Sequence, residues 1–195
     1  MKKVIAVVVC LLSACSADRP DDEELIDALA GLTQKKACIT STLFNQWPAQ
    51  GRSVTQNKEI MERLSDVGLV NRANNSFDLT PKGKEYFDKE ESGFCYASSH
   101  SVSDVIFIKE LPKEQLPAAV YRAWQISFKI APMVTGEWID NEALLKLLKV
   151  EFQAITQPRD FVVRLIKRDE NSEIELSDPR FSFSPHLHFQ MGWVL

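Results

Sequence analysis

The chain has 195 residues, carries Lys+Arg 23 against Asp+Glu 27, and is 45% hydrophobic and 26% charged. That length and apolar fraction suit one or two ordinary domains with a buried core, which excludes a predominantly disordered chain. A net charge of −4 excludes a global attraction for nucleic acid or for an anionic lipid surface.

Lys2 and Lys3 precede an unbroken apolar run, Val4 to Leu12, and Leu12-Ser13-Ala14-Cys15 follows. Positive charge, a short apolar stretch and small residues are the layout of a secretory signal. The run is too short to span a bilayer, which needs roughly 20 apolar residues. Ser16 to Asp22 is acidic and contains Pro20, so it reads as a tether and not as the continuation of a helix.

The motif Leu12-Ser13-Ala14-Cys15 resembles the lipobox of bacterial lipoproteins. The resemblance implies cleavage before Cys15, a diacyl group on its thiol and an acyl chain on its new amino group. Several chains anchor stably where a single one does not. Ser16, standing where an Asp would retain the protein at the inner membrane, implies the outer membrane, with the soluble part facing the periplasm. Such processing removes residues 1–14 with Lys2 and Lys3, leaving 181 residues and a net charge of −6.

Cys10 leaves with the signal and Cys15 takes the lipid, so Cys38 and Cys95 remain. An oxidising compartment favours a disulfide between them, and closing that loop stabilises the fold by up to about 4 kcal/mol on the chain-entropy model. Two buried free thiols are the alternative. Neither cysteine has a second ligand at zinc-site spacing.

Asp22 to Leu32 predicts a helix with Leu25, Ile26, Leu29 and Leu32 on one face and Asp21 or Asp22 at its positive end. Cys38 to Trp47 reads as a short strand or an extended connection. Thr55 to Lys58 can open a helix carrying Ile60, Met61, Leu64 and Val67, which Gly68 stops in the left-handed conformation. Leu69 to Arg72 and Ser76 to Leu79 predict a hairpin about Ala73-Asn74-Asn75. Thr80-Pro81 caps and starts a helix from Lys82 to Lys89.

Residues 57–89, with Asp66-Val67-Gly68-Leu69-Val70 and Phe77-Asp78-Leu79-Thr80-Pro81-Lys82-Gly83, resemble a winged helix-turn-helix unit. That family implies DNA binding. An exported, acidic chain whose Asn57–Val67 helix mixes Glu59, Glu62 and Asp66 with Lys58 and Arg63 lacks the cationic surface a duplex requires. The unit therefore reads as a structural or protein-binding module.

Glu90 to Gly93 is a polar break. Beyond it Phe94 to Tyr96 and Val105 to Ile108 predict strands around a polar turn, Ala97 to Ser103. Ala118 to Ile130 predicts a long alternating strand ended by Pro132. Asp140 to Ile155 predicts one long amphipathic helix with Leu144, Leu147, Leu148 and Phe152 inward. Asp160 to Lys167, Ile174 to Leu176, Arg180 to Phe183 and Leu187 to Val194 predict further strands. The fold class is α+β: a small winged-helix-like unit, then an antiparallel sheet covered by one long helix. The layout is a signal over 1–14, a tether over 15–22, a helical domain over 23–92 and a sheet domain over 93–195. The order also resembles Gram-negative envelope lipoproteins with an "FCY"-bearing sheet domain and a C-terminal Gly-Trp, here Gly192-Trp193. No particular activity is implied by that resemblance.

His100, His186 and His188 are the only histidines. His186 and His188 share a strand face, but two ligands do not make a metal site. Cys95 with His100 would mimic a nucleophile–base pair unless a disulfide silenced it. Glycines never cluster as a phosphate loop demands, and no Gly-x-Ser-x-Gly elbow is present. The four tryptophans read as packing residues. The sequence thus predicts no catalytic residue, no metal and no cofactor. It predicts a membrane anchor, an envelope protein as partner and no nucleic acid. An enzyme acting on an envelope polymer, with a cleft near the histidines, and an immunity or exclusion lipoprotein are the alternatives.

Overall fold

The computed structural model describes residues 19–179, 181, 183 and 185–189. The signal residues 1–14, Cys15 and residues 16–18 of the tether, with Arg180 and Trp193, lie outside the described residues. The protein is of mixed α and β structure built on one curled sheet.

Helix α1 spans Asp22–Thr33. Asp21 accepts from the Glu24 amide at 2.7 Å and the Glu24 carboxylate accepts from the Asp21 amide at 3.2 Å, a reciprocal cap on the helix start. Leu25, Leu29 and Leu32 are buried, while Ile26, expected on the same face, is 51% exposed. Strand β1 (Ala37–Thr40) follows, and a 3-10 turn at Thr42–Phe44 buries Leu43 and Phe44.

Helix α2 (Arg52–Gln56) was not legible in the sequence; it is a short piece set against α3 (Lys58–Asp66). The α3 residues Ile60, Met61 and Leu64 are buried, and Gly68 closes the helix at φ +78°. Strands β2 (Val70–Ala73) and β3 (Ser76–Leu79) form the expected hairpin with Asn74 in the left-handed region. Thr80 caps α4 (Pro81–Tyr86), its hydroxyl accepting from the Gly83 amide at 2.8 Å. A Cβ on Gly83 would sit 1.8 Å from the Leu69 carbonyl oxygen, so only glycine lets α4 lie this close to the hairpin. Lys82 donates to the Val67 carbonyl at 2.9 Å at the end of α3.

Strand β4 (Phe87–Asp88) leads through Glu90–Gly93 into β5 (Gly93–Glu110). That segment joins two antiparallel strands within the sheet, and one hydrophobic core takes residues from both sides of it in sequence, from Ala37 to Phe189. The polar turn expected at Ala97 to Ser103 is a correction: these residues lie within a continuous 18-residue strand. Ser98, Ser101 and Ser103 face solvent there, so their polarity marks an outward face and register irregularities, not a reversal of the chain.

Strand β6 (Arg122–Val134) starts four residues later than expected and runs through Pro132, which sits opposite His100 beside a register shift where its missing N–H is tolerated. In place of one long helix over Asp140 to Ile155 the chain makes α5 (Glu142–Leu148) and α6 (Phe152–Thr156). Lys149 turns left-handed at φ 56°, and the Val150 amide donates back to the Leu145 carbonyl at 3.1 Å, which closes α5 without a glycine. Asn141, one residue beyond the expected Asp140, is the cap.

Strands β7 (Arg159–Lys167), β8 (Glu175–Leu176) and β9 (Leu187–His188) complete the order β8-β7-β6-β5-β1-β9, with β4 also on β5. Among the described residues every pairing is antiparallel except β1 with β9. Of the expected strand Leu187 to Val194, only Leu187 and His188 form a strand among the described residues, residues 190–194 lie outside them, and Phe181 and Phe183 are not in a strand. Cys38 and Cys95 are directly opposed on β1 and β5 and form the disulfide.

Two cores result. One gathers Ile39, Phe44, Phe94, Trp138 and Leu144 with the helices α2 to α6, and aromatic edges meet at Phe94, 5.2 Å from Phe44 and 5.5 Å from Phe87. The other places Leu25, Leu29 and Leu32 of α1 against Trp124, Ile126 and Phe128 of β6.

Candidate functional site

A cleft of about 140 Å³ opens where the two cores meet. Ile130 of β6 and Phe161 of β7 come from one core, and Ile155 of α6 and Leu187 of β9 from the other. Phe183 covers this apolar lining; its ring meets Phe161 at 5.8 Å and His100 edge-on at 4.9 Å.

Tyr96, His100, Arg159 and His186 supply the polar groups. His100 is buried on β5, and its Nδ1 lies 2.6 Å from the Lys35 carbonyl oxygen. A carbonyl only accepts, so Nδ1 carries the hydrogen and Nε2 the lone pair of the neutral ring. Burial pushes the imidazole below its ordinary pKa, and the hydrogen bond to Lys35 opposes that only in part. His186 Nε2 stands 3.2 Å from Glu91 Oε2 and donates to it, leaving Nδ1 buried with no partner. Both rings are therefore held by one nitrogen, and in the neutral ring the other nitrogen is an acceptor.

The Tyr96 hydroxyl donates to the Pro185 carbonyl at 3.0 Å. Burial pushes its pKa up to about 12, although the nearby Arg159 charge pulls the other way. Arg159 is exposed at the start of β7, where its Nη2 donates to the Ala154 carbonyl at 3.2 Å. Its remaining donors form the cationic side of the cleft. Gln157 precedes it on the same wall.

The residues singled out in the sequence are only partly brought together. His186 and His188 do not act as a pair: His188 is exposed, its Nδ1 2.7 Å from Thr40 Oγ1. His186 instead joins His100. Cys95 is bonded to Cys38, so it makes no nucleophile for His100. Among the described residues no group of three or more His, Cys, Asp or Glu is placed to hold a metal ion. Tyr96, Arg159 and Phe183 escaped the sequence reading. Tyr96 stood within the quoted "FCY" motif, but nothing in its spacing to Arg159, sixty-odd positions on, announces that they meet.

The chain matches no protein-family model, no curated protein and no solved structure. Among the described residues no helix is long and apolar enough to cross a membrane.

Proposed function

We propose that this protein is a lipid-anchored component of the bacterial envelope with a non-catalytic binding role, held at the outer membrane by Cys15 and facing the periplasm. The observation that carries the reading is the run Lys2-Lys3, Val4 to Leu12 and Leu12-Ser13-Ala14-Cys15. A disulfide between Cys38 and Cys95 supports it, because such bonds persist where the compartment is oxidising.

Within this reading the segment 57–89 is a winged-helix-like module used for structure or for a protein partner. The ion pairs Lys58–Glu62 at 2.8 Å and Arg63–Asp66 at 3.0 Å neutralise the exposed side of α3, which argues against a duplex as its ligand. An enzyme acting on an envelope polymer is the second reading, and the cleft beside His100 and His186 favours it. A volume of about 140 Å³ suits a small molecule better than a polymer chain, so binding remains the preferred role.

Metabolic labelling with an alkyne fatty acid tests the anchor. Label on the wild-type chain and none on Cys15→Ala, which moves to the soluble periplasmic fraction, is the expected result. Label that persists in Cys15→Ala contradicts it. Crosslinking in intact envelopes should then recover a discrete partner, and failure to recover one counts against the protein-binding part of the proposal.

A further inference from the structure

We propose that the cleft formed by Tyr96, His100, Arg159 and His186 binds a small α-amino carboxylate with a branched apolar side chain, such as free leucine. The inference draws nothing from the lipobox and stands or falls independently of the anchor.

Each part of that ligand answers a part of the cleft. The apolar wall, Ile130, Phe161 and Phe183, offers contact without hydrogen bonds and so favours a hydrocarbon group. A dry cavity of ~150 Å³ is enough for a ring of benzene's size. The space here, about 140 Å³, therefore takes a side chain of four or five carbons and not a sugar or nucleotide. Arg159 presents a planar array of donors at the exposed side, and a carboxylate is the group that such an array pairs with in two parallel hydrogen bonds.

The two imidazoles ask for the opposite chemistry. His100 donates through Nδ1 to a carbonyl, and His186 donates through Nε2 to a carboxylate. On each ring in its neutral form the remaining nitrogen carries a lone pair, and a buried acceptor without a partner costs about 1–3 kcal/mol. His186 Nδ1 is in that state now. A carboxylate placed against these nitrogens would meet lone pairs, whereas an ammonium group supplies three N–H donors. The cleft thus offers a cation at Arg159, acceptors at the histidines and a separate apolar wall at Ile130, Phe161 and Phe183, one for each of the three groups on the α-carbon of an apolar amino acid.

Calorimetric titration of the purified full chain in detergent with L-leucine tests this. Two fragments serve as controls: 4-methylpentanoate, which lacks the amine, and 3-methylbutylamine, which lacks the carboxylate. Leucine is expected to bind saturably and at least tenfold more tightly than either fragment. Arg159→Gln should weaken leucine about tenfold and leave 3-methylbutylamine unchanged. His186→Gln should weaken leucine and 3-methylbutylamine and leave 4-methylpentanoate unchanged. Arg159 is exposed, so its variant keeps the fold, and the melting temperature of each variant separates lost binding from lost folding. No heat from any of the three at millimolar concentration overturns the proposal, as does leucine affinity that is indifferent to Arg159→Gln. Saturable zinc binding that either His100→Gln or His186→Gln abolishes, with no response to leucine, overturns it in favour of a metal site.

Discussion

The two cores share one sheet and are closed in different ways. Around Phe94 the core is built from many short pieces, β1, α2 to α6 and the start of β5, tied by the Cys38–Cys95 bridge and by aromatic edges that converge on one ring. Around Trp124 the core is three long strands, β5, β6 and β7, with a single helix, α1, laid on them and capped through Asp21 and Glu24. The first is held by sequence-distant contacts and a covalent link; the second depends on one helix near the start of the described chain. The cleft lies at the seam, so its walls come from elements that are stabilised by different means.

Truncating the hub of each core gives the largest expected effect. Phe94→Ala should destabilise the protein by about 3–5 kcal/mol, because the ring fills the space between Phe44, Trp47 and Phe87. Leu29→Ala should cost about 2–5 kcal/mol. Urea unfolding followed by tryptophan fluorescence measures both. Equal losses from both variants, with one shared transition, would make the two cores a single cooperative unit. A separate early transition in Leu29→Ala would show that α1 opens alone.

Replacing both cysteines, Cys38→Ser with Cys95→Ser, should cost about 2–4 kcal/mol and act on the Phe94 core. Reducing the wild type should reproduce that loss, and a melting temperature unmoved by reductant would contradict the tie described for that core.

The smallest effect concerns His100. Its pKa is lowered in the folded protein by burial, so the unfolded chain takes up a proton that the folded chain resists. Stability is fully present above the ordinary imidazole value of 6.5 and declines as the pH falls below it towards the depressed value. A His100→Gln variant should lose that part of the acid sensitivity. An unchanged pH profile in the variant would show that the ring takes no part in it.

Local features were the ones legible in the sequence. Period-2 and period-3.6 patterns placed α1, α3, β2, β3 and β7, and Thr80-Pro81 and Gly68 marked boundaries because capping and left-handed turns depend on neighbours along the chain. The serines of β5 misled, since an exposed strand face and a turn have the same composition. The break at Lys149 was hidden because a lysine there adopts a conformation for which glycine is the usual sign. The cleft was legible only as its histidines. Tyr96, Arg159 and Phe183 are brought together by the sheet across more than sixty positions and by the return of Phe183 and residues 185–187 to the cleft, and no local pattern encodes such contacts.

Hydrogen exchange on the full chain, with and without saturating leucine, tests most directly that the seam between the cores is the functional site. The account predicts slower exchange at residues 96–102 of β5, at 159–163 of β7 and at 185–187, with residues 52–86 unchanged. Protection confined to residues 52–86, or no protection anywhere, would contradict it.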